Sequence, residues 1–212
     1  AGFDMSLVPS TQFSFVEQKN IAVGKGVQNN AQVNACGGCH SRREEIGYVN
    51  PADDFHNQFV LRRVDSPLYF ADGQIQDEVY VYGSFLQSKM YKAGVNCLDC
   101  HDQHTMKIKL PDNTLCAQCH NNEIFNKPEH HGHQENSTGS LCVNCHMPEN
   151  RYMGVDDRRD HSFRIPRPDL SLKYGHWVCI LKAPLQTEKG KEGYSNSFRS
   201  IINNVKLERN YQ

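Results

Sequence analysis

A chain of 212 residues permits one or two domains, but 38% apolar content and a mean hydropathy of −0.67 leave it poor in the side chains that normally build a core of this size. The formal charge of −1, with no phosphate-cradling glycine-rich loop and no basic helix, excludes an electrostatic footprint for nucleic acid. No apolar run approaches the roughly eighteen residues of a membrane span, since the stretch from Trp177 to Leu185 is interrupted by Lys182 and Pro184.

In chain order, residues 1–35 are rich in Gly, Asn and Gln, hold a modest apolar cluster at Phe13, Phe15 and Val16, and contain neither cysteine nor histidine. They are predicted to form an extended arm or partner-packing segment. The opening "AGFDM" lacks a basic region and an apolar stretch, which predicts that any secretion signal has already been removed. Residues 36–175 then carry all the recurring chemistry, starting with Cys36-Gly-Gly-Cys39-His40 and followed by His56. The segment "QDEVYVYGSFLQSKMYKAG" places Val79, Tyr82, Leu86 and Met90 on one face of a predicted helix, with Gly94 as its C-cap and Gly83 as an internal cost of about 1 kcal/mol. Cys97-Leu-Asp-Cys100-His101, His104, Cys116-Ala-Gln-Cys119-His120, the cluster His130, His131 and His133, Cys142-Val-Asn-Cys145-His146 and His161 complete the series. Pro51, Pro67, Pro111, Pro128, Pro148, Pro166 and Pro168 break the remaining periodicity, so coil and short α-helices with little β are predicted. Residues 176–212 form a polar tail, with apolar residues returning at Phe198, Ile201, Ile202 and Val205, and are predicted to contact a neighbouring subunit.

Eight of nine cysteines obey one rule, C-x-x-C-H, which composition alone would produce roughly 0.02 times in such a chain. Each motif reads as a c-type haem attachment site. Cysteines at i and i+3 share one face of a helical turn, where both sulfurs reach the two vinyl groups of one porphyrin, and the histidine at i+4 lies under the iron. The two competing readings are weaker. Cys97/Cys100 and Cys116/Cys119, fifteen residues apart, have zinc-ribbon spacing, but zinc has no use for a histidine after every second cysteine. A disulfide framework of four bridges likewise leaves the four histidines without a role. Four haems leave about 53 residues for each, too few for independent haem domains. One haem-packed unit is therefore expected, with four stacked haems supplying the missing apolar core and little structure without them.

His40, His101, His120 and His146 are the expected proximal iron ligands, and seven further histidines exceed the four distal ligands required. The distal candidates are His56, His104, His130, His131, His133 and His161. His104, three residues after His101, is read on a continuing helical turn and so toward a different haem. Asp160 is placed to accept the other ring proton of His161. The sequence does not choose among His130, His131 and His133, which are expected to supply one or two ligands, and His176 and the lone Cys179 are read as bystanders, with a supplementary ligand or interface role as the alternative. Met5, Met90, Met106, Met147 and Met153 are less favoured ligands where histidine is in surplus. The pairs Arg42-Arg43, Arg62-Arg63 and Arg158-Arg159 are read either as partners for haem propionates or as solvated surface. Six-coordinate iron has no open position for substrate, so electron carriage is favoured over enzymatic reduction.

Between Asn34 and Tyr174, the phrases "NACGGCHSRR", "DGQIQDEVYVYGSFLQSKMYKAGVNCLDCHDQH", "LCAQCH", "HHGH" and "CVNCHMPENRYMGVDDRRDHSFRIPRPDLS" resemble a broad family of bacterial multihaem c-type cytochromes. The likeness covers roughly two thirds of the chain. Members often continue after "RPDLS" with another C-x-x-C-H, whereas this chain reads "LKYGHWVCILKAPLQ". Four haems with uncommitted segments at both ends are similar to the tetrahaem members that polymerise into extracellular nanowires. That resemblance implies export, head-to-tail subunits, one continuous line of haems, a distal histidine donated across the subunit boundary, and delivery of electrons to external acceptors such as minerals or to partner proteins. A soluble periplasmic electron shuttle is the alternative, with a multihaem reductase behind it.

Overall fold

The computed structural model describes residues 11–25, 30–50, 53–105, 107–152 and 154–167, and in these the chain is built of short helices, three two-stranded antiparallel sheets and much coil. It divides into two units, one of Ala1–Asn121 with Glu149–Phe163 and the other of Asn122–Pro148 with Arg164–Gln212. The first three motifs belong to the first unit and the fourth to the second. The tail at 176–212, with His176 and Cys179, lies outside the described residues, as do Met5, Met106 and Met153. No described helix is long and apolar enough to cross a membrane.

In the first unit, β1 (Gln12–Ser14) pairs with β2 (Val23–Lys25), and Phe13 stands opposite Gly24. Within the predicted arm of residues 1–35, residues 12–25 are therefore a hairpin and residues 31–35 already belong to the first helix. The hairpin folds back on the third motif through main-chain bonds, from the Ala22 N–H to the Cys119 carbonyl at 2.7 Å and from the Asn121 N–H to the Asn20 carbonyl at 2.9 Å. Composition concealed this because backbone groups carry no side-chain signature. Next, α1 (Ala31–His40) contains the whole first motif. It packs on α2 (Phe55–Gln58) and α3 (Tyr82–Leu86), burying Val33, Phe55, Phe59, Tyr82 and Phe85 together. Phe55 anchors this cluster, with ring centres 4.8 Å from Tyr82 and 5.1 Å from Phe59. The glycine within the first motif is explained here: a β-carbon on Gly37 would lie 2.6 Å from Cε2 of Tyr82.

The helix predicted over "QDEVYVYGSFLQSKMYKAG" is two helices. After α3, Ser88 turns extended and its hydroxyl accepts the Tyr91 N–H at 2.9 Å, which caps a new helix, α4 (Lys89–Lys92). A buried serine at that position competes with helix continuation, and the apolar periodicity did not register it. The start of the predicted helix is also not helical: α3 begins only at Tyr82 and Tyr80 has a φ of +60°, so Val79 joins a second cluster with Tyr69, Ile75 and Tyr152 while Tyr82 stays in the first. Gly94 ends α4 as predicted: its φ of +91° lets its own N–H reach the Tyr91 carbonyl while the Val95 N–H reaches that of Met90. Gly83 is a packing requirement, since a β-carbon there would stand 2.5 Å from the Tyr69 hydroxyl.

The first unit is completed by α5 (Cys97–Cys100), α6 (Asp112–Ala117), the pair β3 (Arg43–Glu45) with β4 (Phe59–Leu61), and the pair β5 (Glu149–Tyr152) with β6 (Asp156–Arg159). The second unit contains α7 (Asn122–Phe125), α8 (Pro128–His131), a 3-10 turn over Thr138–Ser140 and α9 (Cys142–His146). Proline at the start of α8 and left-handed Gly132 after it confine that helix to one turn.

Among the described residues only nine apolar side chains are buried, a small core that makes each one consequential. Phe55→Ala is expected to cost about 3–5 kcal/mol and Gly37→Ala about 1–3 kcal/mol in denaturant unfolding. Replacing the eight motif cysteines by alanine is expected to leave a chain with the far-ultraviolet circular dichroism of coil.

Candidate functional site

Each motif sits on a single helical turn, which places its two sulfurs on one side. The first occupies the end of α1, the second is α5, the third begins in α6, and the fourth is α9. The α5 turn is set by its entrance, where the Asn96 N–H donates to Asp99 at 2.7 Å, and its exit, where the His101 N–H donates to the Cys97 carbonyl at 2.9 Å. The third motif closes the same way, from the His120 N–H to the Cys116 carbonyl at 2.9 Å. All eight motif cysteines are free thiols, so none joins a disulfide. Among the described residues no group of three or more His, Cys, Asp or Glu converges as a metal cage, and the zinc-ribbon spacing is not expressed as one.

Within the first unit the motifs adjoin in sequence order. Cys36 and Cys97 share a thiol hydrogen bond that holds Cys36 below the ordinary thiol range and pushes Cys97 up, with burial adding to the latter. Burial raises Cys100 to about 11, and Asp99 and the nearby Cys119 add to it. Cys119 is raised by the same two causes, burial and then Asp99. The first motif thus touches the second, and the second neighbours the third.

Among the described residues, His101 and His146 each meet a second imidazole from outside their own motif. His101 and His161 have ring centres 6.4 Å apart and planes at 21°, and His130 and His146 have centres 6.2 Å apart and planes at 13°. An imidazole nitrogen lies about 2.0–2.1 Å from a bound metal and about 1.1 Å from its own ring centre, so two imidazoles on opposite sides of one metal have centres about 6.3 Å apart. Direct ring stacking would bring them closer. Tautomer agrees with spacing. Nδ1 of His146 donates to the Arg164 carbonyl at 2.7 Å, and Nδ1 of His161 donates to the Arg159 carbonyl at 2.9 Å. A carbonyl only accepts, so each Nδ1 carries the proton and each Nε2 offers a lone pair. Burial also lowers the His161 pKa, with His101 and His40 acting in the same direction, which favours the neutral, ligating form.

The Arg159 carbonyl takes the place predicted for Asp160. That carboxylate is buried and already engaged, accepting the Ile75 N–H at 3.1 Å and the Ser162 N–H at 2.7 Å. His104 is likewise corrected. The helix stops at Cys100, His101 is extended, and an Asp102 carboxylate that accepts the N–H groups of His104 and Thr105 turns the chain, so no continuing helical turn carries His104. His104 is exposed, as is His56 on α2, and among the described residues neither ring pairs with a motif histidine. Of the cluster, His130 is the residue paired with His146. His131 and His133 are near neighbours whose 6.3 Å ring separation follows from local geometry, with the His133 N–H donating to Nδ1 of His131 at 3.2 Å. Nε2 of His131 is buried without a hydrogen-bond partner, a polar atom for which the protein supplies nothing.

The arginine pairs meet carboxylates of the chain itself. Arg42 lies by Asp77, Arg43 by Glu45, Arg62 by Glu44, Arg63 by Asp65, Arg158 by Glu78 and Asp156, and Arg159 by Glu149. Surface pairs of this kind contribute little stability.

The donor set fits haem c: paired thiols on one turn, a histidine directly after them and, at two motifs, a second imidazole at the metal-bridging separation. Bound there, haem supplies a one-electron ferric/ferrous couple. His161→Ala and His130→Ala are each expected to open one iron position, read as carbon monoxide binding by about one haem in four after reduction. No protein-family model, curated protein or solved structure matches the chain.

Proposed function

We propose that this chain is a tetrahaem c-type cytochrome that passes electrons from haem to haem, and that it works as the subunit of an extracellular filament delivering electrons to external acceptors. The observation that carries the reading is the placing of His101 opposite His161 and of His146 opposite His130, each pair at the separation of two ligands on one metal. It ties two of four recurring C-x-x-C-H motifs to partners the motif itself does not specify. Succession of the first three motifs, through Cys36 with Cys97 and then Cys100 with Cys119, supports short steps between neighbouring sites. At these two motifs a second histidine supports carriage over catalysis, because it would fill the iron position a substrate needs.

The filament part rests on the family resemblance and on a surface that suits assembly. Tyr48 is 93% exposed and Val155 85% exposed, with Ile46, Val60 and Ile108 also outward. A head-to-tail contact that does not close produces a filament.

Pyridine haemochrome and intact mass on the natively expressed protein are expected to give four covalent haems per chain, and the ferric protein to be low-spin throughout. Negative-stain electron microscopy of the same material is expected to show thin, regularly repeating filaments. Single particles under conditions that preserve native assemblies would replace the filament with a soluble shuttle. A high-spin ferric signal, or carbon monoxide binding by the unmutated protein, would move the reading to a reductase.

A further inference from the structure

We propose that the turn over residues 159–163 is a positioning device in which Asp160 and Phe163 hold the His161 imidazole nearly parallel to that of His101. The inference rests on the haem reading above and deepens it for one site.

Three constraints converge on a single ring. Asp160, 2% exposed, joins the turn to the body of the first unit, because one carboxylate oxygen accepts the Ser162 N–H inside the turn and the other accepts the N–H of Ile75, 85 residues away in sequence. The Arg159 carbonyl accepts from Nδ1 of His161 at 2.9 Å, which fixes the tautomer and one edge of the ring. Phe163 presses on the same ring edge-to-face, with centres 5.9 Å apart and planes at 77°. Its other contact is Phe85, at 6.2 Å and 76°, a buried member of the aromatic core. Phe163 therefore stands between the core and the imidazole and transmits the rigidity of one to the other.

The backbone of Phe163 indicates what the ring is for. Its φ is +47°, in the left-handed region that favours glycine and that a bulky side chain rarely occupies. A residue selected for this turn alone would be glycine. A residue needed only to fill volume would not require a left-handed backbone. Both features together are explained by a ring that has to reach one place in one orientation, held there by its surroundings. With Nδ1 bonded and one face edge blocked, His161 cannot rotate about its metal-directed axis, and the 21° between its plane and that of His101 is retained.

The angle between two axial imidazoles governs how the iron orbitals split. Near-parallel planes give a rhombic low-spin ferric signal, and crossed planes give a single feature at large g. Electron paramagnetic resonance of the ferric holoprotein is therefore the test, with the component from this site identified by its loss in His161→Ala. In Phe163→Gly, which suits the backbone and removes the ring, that component is expected to move toward the large-g form, while the other three components and the haem content stay unchanged. Phe163→Tyr is expected to restore the rhombic signal, and Asp160→Asn to shift the same component in the direction of Phe163→Gly. An unshifted component in Phe163→Gly would overturn the proposal, and so would a shift spread equally over all four sites, which would indicate a structural role alone. Absence of low-spin haem from the unmutated protein would instead remove the haem reading, a result distinct from either.

Discussion

A hydrogen bond from imidazole Nδ1 to a backbone carbonyl is the interaction on which the candidate site depends. It is made by His161 to Arg159 and by His146 to Arg164, and in each case it decides which nitrogen keeps a lone pair. Neutral imidazole has one proton to place, so a carbonyl that claims Nδ1–H leaves Nε2 for a metal. The rest of the local structure serves that choice: the buried Asp160 holds the turn that presents the Arg159 carbonyl, and the aromatic core supports the ring that leans on His161. A main-chain acceptor has the further property that no side-chain substitution deletes it directly.

The same region reconciles a small core with ordered ligands. Among the described residues nine apolar side chains are buried, split between two clusters, and most of the described helices are single turns. Short helices gain little from propensity, so each is fixed by its ends: Ser88 opens α4, Gly94 closes it, and Asp99 secures the entrance to α5. Such elements would drift if exposed. Pinning them against Phe55, Tyr82 and Tyr69 keeps the first and second motifs in contact, as the proposed electron-carrying role would require.

How far the site was legible differs from residue to residue. Cys36, Cys39 and the other motif cysteines, with their trailing histidines, stand out in the sequence because the pattern is a five-residue spacing, and the structure adds the helical turn that carries each. His161 and His130 were among several distal candidates, and only their approach to His101 and His146 singled them out. His104 was misread through an assumed continuation of the helix, which the Asp102 turn prevents. Asp160 was misread because its sequence neighbour looked like its partner, whereas the carboxylate is spent on Ile75 and Ser162. Phe163 was missed altogether. A lone aromatic in a turn carries no signal until its left-handed backbone and its contact with His161 are seen.

The fold follows the same division. Coil-dominated architecture, the Gly94 cap and the break-rich segments follow from local rules, in which a residue acts on neighbours within one turn. The hairpin at residues 11–25, the division into two units and the separation of Val79 from Tyr82 depend on contacts between residues distant in sequence. By itself, the sequence determined which side chains are able to hold a cofactor, since covalent and coordination chemistry is a property of residue type and short spacing. The tertiary structure alone decided which imidazole faces which and which nitrogen each presents, because those depend on how main-chain acceptors and aromatic rings far apart along the chain come to meet.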